Sequence, residues 1–204
     1  MALFGITIEV QYELGPEAGS AALRDGGVVV GLTQQSLLDP TIGIAGMRQR
    51  FLSLWNIEYA LLPIFGWVSW TLGWVIIRQW PKQAKRQLNK AAAYAGSGGI
   101  VYLSAEGKRS SDGSLNNYKK GPAVLAIQAQ ANIHPLYLSG SRDCLPYGSW
   151  KIRPGHVVMR FLKPVSTAGL SYQDRNDLLQ QLKALGEYEH QRCQSYSRSK
   201  VEQG

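Results

Sequence analysis

Short apolar runs recur along the chain, separated by Gly-rich stops and by stretches whose apolar positions repeat every three or four residues. Ile6-Thr7-Ile8-Glu9-Val10-Gln11-Tyr12 alternates apolar and polar, the pattern of a half-exposed strand. Gly15 to Gly27 is rich in Gly and Ala and is read as a loop with a short helical turn. Val28-Val29-Val30-Gly31-Leu32 is apolar throughout and predicts a buried strand ending near Leu32. Thr33 to Pro40 is then a strand-to-helix turn, and Pro40 disfavours helical backbone at Asp39. On a regular helix Gln34 and Asp39 would diverge by about 140 degrees, whereas a turn could bring them together.

The same alternation continues. Pro81 suits the first turn of a helix over Lys82 to Ala95, which Gly96-Ser97-Gly98-Gly99 stops. Ile100-Val101-Tyr102-Leu103 is a second buried strand. Gly121 to Ala131 predicts a helix, Pro135-Leu136-Tyr137-Leu138 a strand, Gly140 to Trp150 a loop, and His156 to Leu162 a strand. Ser171 to His190 is an amphipathic helix with Leu178, Leu179, Leu182 and Leu185 on its apolar side. The whole is expected to be α/β, with a mostly parallel or mixed central sheet flanked by helices. Residues 1–190 form one domain and 191–204 a polar, frayed tail.

Tyr59 to Ile77 holds no charged residue and carries Trp67, Trp70 and Trp74 on one helical face. It is just long enough to span a bilayer, but Pro63, Gly66, Ser69, Thr71 and Gly73 interrupt it. Membrane spanning, contact with a membrane interface, and a buried helix followed by a strand at Trp74-Val75-Ile76-Ile77 remain three readings of it.

Composition narrows the class of partner. Of 204 residues 45% are hydrophobic and 18% charged, which is globular, and the net charge of +8 favours anionic partners. Nucleic acid would want cations interleaved with exposed aromatics. Here the aromatics cluster in Trp55 to Trp80 and the cations other than Arg78 lie elsewhere, so no nucleic-acid partner is expected. Cys144 and Cys193 are too few for a disulfide framework, and no Cys/His spacing suits a metal. Met1 to Tyr12 lacks the basic start and long apolar stretch of a signal peptide.

The candidate chemistry lies where the Ile100 strand ends, in Ser104-Ala105-Glu106-Gly107-Lys108-Arg109-Ser110. Ligand sites of open α/β sheets lie beyond the carboxyl ends of strands. Lys as a point charge and Arg as a bidentate fork suit a phosphate there. Taken alone, the same cluster reads first as a solvated loop between a strand and a helix, because charge clusters in loops are common.

Several segments together resemble the glycerolipid acyltransferases that acylate lysophosphatidic acid. Gln35-Ser36-Leu37-Leu38-Asp39-Pro40 is similar to the second half of their Asn-His-x-Ser-x-x-Asp motif. Glu58, Pro63-Ile64-Phe65-Gly66 and Arg78 resemble their second region, and Leu103 to Ser110 their Phe-Pro-Glu-Gly-Thr-Arg-Ser motif. Lys120-Gly121 through Pro135-Leu136-Tyr137-Leu138 is similar to their last. Order and spacing agree from about Gly5 to Leu185.

The resemblance implies transfer of a fatty acyl group to lysophosphatidic acid or a similar lysophospholipid. The donor would be a thioester on coenzyme A or acyl carrier protein. No bound cofactor is implied. The partners are these two substrates and a membrane surface, with the site facing the cytoplasm. It implies that Glu106, Gly107, Lys108 and Arg109 hold the substrate phosphate, with Arg109 the direct ligand and Glu106 orienting Arg109 or bonding the glycerol. Ser36 and Arg78 are implied substrate contacts, and Asp39 the partner of the motif histidine. Members commonly begin with membrane-associated helices, whereas this chain starts almost at the first strand.

One position departs. Gln34 stands where the family has its His, and Thr33 where it has Asn. A carboxamide donates and accepts hydrogen bonds but cannot carry a proton away at neutral pH. His134, His156 and His190 do not restore the motif by spacing, and Ser36 as a nucleophile would still lack a base. Without its His, Asp39 is expected as a helix N-cap. The sequence therefore supports an acyltransferase, active or impaired, or an inactive relative that binds phospholipid.

Overall fold

Val28, Val29 and Val30 have no solvent exposure. β-Branched side chains buried on both faces suit an inner strand of a parallel sheet. In the computed structural model, which describes residues 2–3, 5–47, 49–57, 73–76 and 80–201, these valines form the centre of a mixed sheet flanked by helices. The elements are β1 (Ala2–Leu3), β2 (Ile6–Tyr12), α1 (Pro16–Arg24), β3 (Gly27–Gly31), α2 (Asp39–Gly46), β4 (Phe51–Asn56) and β5 (Gly73–Ile76). They continue with α3 (Pro81–Gly96), β6 (Ile100–Ser104), α4 (Gly121–Ala129), β7 (Ile133–Ser139), α5 (Ser141–Cys144), β8 (Gly155–Phe161) and α6 (Arg175–Val201).

The strand order is β1-β2-β8-β7-β3-β6-β4-β5. β7, β3, β6, β4 and β5 run parallel, β8 is antiparallel to β7, and β2 is parallel to β8. Alternation along β3 sends Val28 and Val30 into a core under α3, α4 and α6 with Leu125 and Leu182. Val29 goes to the other face, where Leu23 of α1 and Ile42 of α2 pack with Leu136 and Met159. After β3 the chain first builds the β6 side of the sheet and then returns to the β7 side. The carboxyl end of β3 is thus the point where the order reverses, and a crevice is expected there.

Three sequence expectations change, and one strand went unread. Gly15 to Gly27 is no loop: α1 fills Pro16–Arg24, with Pro16 in its first turn and Glu17 favourably placed at its amino end. Gly19 lies against the Tyr12 ring, so its missing side chain reflects packing of α1 on β2 and not flexibility. β4 was not legible, because Phe51-Leu52-Ser53-Leu54 directly precedes the long aromatic stretch that masks its boundary. The tail from Gln191 does not fray at His190. α6 continues to Val201, and Glu189 accepts two hydrogen bonds from the Arg192 guanidinium, at 2.7 and 2.9 Å, while Arg160 approaches it at 3.4 Å. Asp39, expected outside the helix, is its first residue, with Pro40 second, where the missing N–H has no intrahelical acceptor to lose.

The stretch from Tyr59 to Ile77 lies outside the described residues except for the backbone of β5 at its end, where a strand was one of its readings. Among the described residues no helix is long and apolar enough to cross a membrane.

A Cβ at Gly19 would run into Cβ and Cγ of Tyr12, near the root of that side chain, where it cannot swing away. Gly19→Ala gains helix propensity but overpacks, and should lower stability by about 1–2 kcal/mol. Urea unfolding at unchanged m-value measures it.

Candidate active site

Three connections meet beyond the carboxyl ends of β3, β6 and β7. The first, Leu32 to Asp39, is buried along its whole length. Thr33 ties it to β7: its hydroxyl donates to the Leu138 carbonyl at 3.2 Å and faces the Leu138 N–H at 3.3 Å. Its far end is folded back by Asp39, whose Oδ2 accepts from the N–H of Gln35 at 2.7 Å and of Ser36 at 3.0 Å. This turn answers the geometric problem of Gln34 and Asp39. The carboxylate closes on the peptide immediately after Gln34.

The second connection wraps around Gln34. Ala105 N–H donates to the Gly31 carbonyl at 2.8 Å. Glu106 then buries its whole side chain. Its Oε1 accepts from the Gln34 N–H at 2.8 Å, and its Oε2 accepts from Asn116 through the backbone N–H at 2.9 Å and Nδ2 at 2.6 Å. Gly107, at φ +68, turns the chain, and the Ser110 N–H donates to the Gln34 carbonyl at 2.8 Å. Gln35 Nε2 donates to the Gly113 carbonyl at 3.2 Å and Tyr118 Oη to the Leu32 carbonyl at 2.6 Å. The third connection closes the rim: Arg142 donates to the Ser111 carbonyl at 3.1 Å, and the Arg109 guanidinium lies 4.9 Å from the Tyr147 ring centroid.

Electrostatics divides the site in depth. Two carboxylates, Asp39 and Glu106, are buried beneath cations at the surface. Burial raises the Asp39 pKa to about 6, against the opposing help of the Ser141 hydroxyl, the Ser36 and Gln35 N–H groups and the Arg109 charge. Burial also raises Glu106, and the Asp39 charge adds to that, while Asn116 and the Gln34 N–H pull it back. That Arg109 acts on Asp39 places the phosphate-type cation and the motif acid in one neighbourhood.

The residues singled out in the sequence therefore meet, but two have other parts. Glu106, expected to orient Arg109 or bond the glycerol, has both oxygens bonded to donors of the flanking loops. Ser36, expected as a substrate contact, is buried, donates to the Leu145 carbonyl at 3.0 Å and accepts from the Leu38 N–H at 3.2 Å. Lys108 is exposed, Arg109 half-buried and Gln34 buried. Arg78 lies outside the described residues. Sequence reasoning missed Asn116, Ser141 and Tyr147, which sit in polar loops or at the start of the short α5 and form no motif.

The histidines stand elsewhere. His134 bonds the Gly26 carbonyl at 3.0 Å at the amino end of β7, and burial lowers its pKa. His156 pairs with Glu9 at 3.1 Å, and His190 Nδ1 with Tyr137 Oη at 2.9 Å. Among the described residues no cluster of His, Cys, Asp or Glu is placed to hold a metal ion. A cleft of about 660 Å³ opens behind Gln35 and Gly113, against α6; neither Asp39 nor Arg109 lines it.

Because the folded pKa of Asp39 lies above its unfolded value, its contribution to stability is fully present below about pH 3.8 and is lost as pH rises through about 6. Asp39→Asn keeps an acceptor for the two N–H groups and removes the buried charge. Relative to this variant, the native chain should lose about 2 kcal/mol between pH 4 and 7. Urea unfolding of both chains across that range measures the difference.

Comparison with known proteins agrees with this geometry. The profile of the family described as Acyltransferase matches residues 17–139. The chain is 30% identical over 148 residues to a chloroplastic 1-acyl-sn-glycerol-3-phosphate acyltransferase of Brassica napus, covering 71% of this chain and 41% of that protein. It is 31% identical over 134 residues to a chloroplastic counterpart from Arabidopsis thaliana, covering 64% and 37%. The chain thus spans about two fifths of the length of these relatives. The crystal structure of a 1-acyl-sn-glycerophosphate acyltransferase from Thermotoga maritima superposes with a TM-score of 0.70 at 23% identity, over 91% of this chain and 72% of that one, a likeness of fold. The chain belongs to the acyltransferase family.

Proposed function

We propose that this acyltransferase-family chain moves a fatty acyl group from an acyl thioester, on coenzyme A or acyl carrier protein, to lysophosphatidic acid or a similar lysophospholipid. It works slowly, at a membrane surface with the site facing the cytoplasm. The observation that carries the reading is convergence. The Arg109 charge reaches Asp39, and the Ser110 N–H binds the Gln34 carbonyl, so a cation suited to phosphate stands beside the motif acid.

In the reaction the acceptor hydroxyl oxygen attacks the thioester carbonyl. A C–O bond forms, the C–S bond breaks, the hydroxyl proton leaves and the thiolate departs with a proton. Arg109, with Lys108 beside it, holds the phosphate and so fixes the glycerol. Asp39 would steady a cationic base, as it does when an imidazole occupies position 34. Gln34 supplies only a carboxamide, so proximity and the cation remain while proton removal is left to water. Absence of a general base costs about 10²–10⁴ in rate. The same residue supports a second reading, in which the chain binds the lysophospholipid and does not turn it over.

The test is acyl transfer from a thioester to lysophosphatidate. Gln34→His should raise kcat by about 10²-fold or more. Equal rates would mean that Gln34 does not occupy the base position, and no rate in either chain would favour the binding-only reading. Arg109→Ala should weaken binding of the phosphorylated acceptor by about tenfold or more and leave the donor little affected. Equal loss for both substrates would count against Arg109 as the phosphate ligand.

A further inference from the structure

The chain between α5 and β8 makes an excursion that the chemistry does not use. The Arg153 N–H donates to the Cys144 carbonyl at 2.8 Å and closes its base. The Ser149 N–H donates to the Pro146 carbonyl at 3.1 Å, and Gly148, at φ +78, turns the tip. Leu145 and Ile152 pack inward at its foot, and the tip points away from the core. Trp150 is 73% exposed there and Tyr147 52%. Tyr147 is also the ring under Arg109, so the excursion stands at the rim of the phosphate turn.

Cations surround it. Lys151 and Arg153 are exposed on the excursion, and Lys108 is exposed beside Arg109. Lys119 and Lys120 are exposed at the end of the same connection, where the Lys119 N–H returns to the Ala105 carbonyl. Against them the connections 104–120 and 140–154 expose Asp112 and Asp143 as their acids, since Glu106 is buried. Asp112 already accepts hydrogen bonds from Ser110 and Ser114.

One exposed ring is ordinary, but here two rings on a braced turn stand among cations beside an anion site. Aromatic rings favour the headgroup level of a bilayer, and Lys and Arg favour anionic headgroups. We propose that the Cys144–Arg153 excursion docks the protein on an anionic phospholipid surface. Trp150 enters the headgroup layer, Lys151 and Arg153 meet phosphates, and the Arg109 turn opens toward the bilayer. The proposal rests on the lysophospholipid reading, because such an acceptor is reached from a bilayer. Contact by one turn makes the docking reversible and weakened by salt.

Cosedimentation of the full chain with vesicles tests it, using phosphatidylcholine alone and phosphatidylcholine mixed with phosphatidylglycerol. The native chain should bind the anionic vesicles, with Trp150→Ser about tenfold weaker. Lys151→Ala with Arg153→Ala should also be about tenfold weaker, and only at low salt. Brominated lipids should quench a part of the tryptophan emission that Trp150→Phe removes. All these positions are exposed, and thermal melts should show the variants folded. Failure of the native chain to bind anionic vesicles, or variants that bind as tightly as it does, overturns the proposal. Turnover does not enter the readout. Docking through Trp150 without acyl transfer removes the function and keeps the surface, and transfer without docking does the reverse.

Discussion

The site depends on one buried carboxylate. Glu106 reaches across from the end of β6 to the N–H of Gln34 at the end of β3, and its other oxygen holds Asn116 ten residues further on. Neighbouring strands in a parallel sheet fix the positions of their ends but not the course of the loops that leave them. Here a charge-assisted pair of bonds does so, in a place without water. With Glu106 in position, the chain must double back at Gly107, and Arg109 and Ser110 come to lie over the first loop. A carboxylate so enclosed is costly to bury and would be more costly with a donor missing, which makes the arrangement all-or-none.

This division of labour explains how acids and cations share one site. Asp39 and Glu106 sit beneath the cations, each with N–H groups directed at it, and the free positive charge lies outward. An anion approaching from solvent meets Lys108 and Arg109 first.

Much of the frame was legible because it follows from solvent exclusion. Val28 to Val30, Ile100 to Leu103 and Leu136 to Leu138 are apolar on both faces, and only an inner strand needs that. What escaped was decided by contacts remote in sequence. Gly19 reads as a loop residue until Tyr12 is seen beside it, and Gln191 onward reads as a tail until Glu189 is seen between Arg160 and Arg192. In the site the sequence suggested Arg109, three residues on, as a neighbour of Glu106. Its actual partners are 72 residues earlier and 10 later.

The same bonds bear on Gln34. The fold secures this position through its peptide: the N–H goes to Glu106 and the carbonyl receives Ser110. Asp39, too, closes the turn through the backbone of Gln35 and Ser36 and not through a side chain. None of these contacts distinguishes an imidazole from a carboxamide. Chemistry and architecture are therefore separable at position 34, in a way they are not at Glu106, where the side chain itself joins the loops. An exchange of the side chain at position 34 leaves these bonds in place, so the order of the turn does not depend on which side chain stands there.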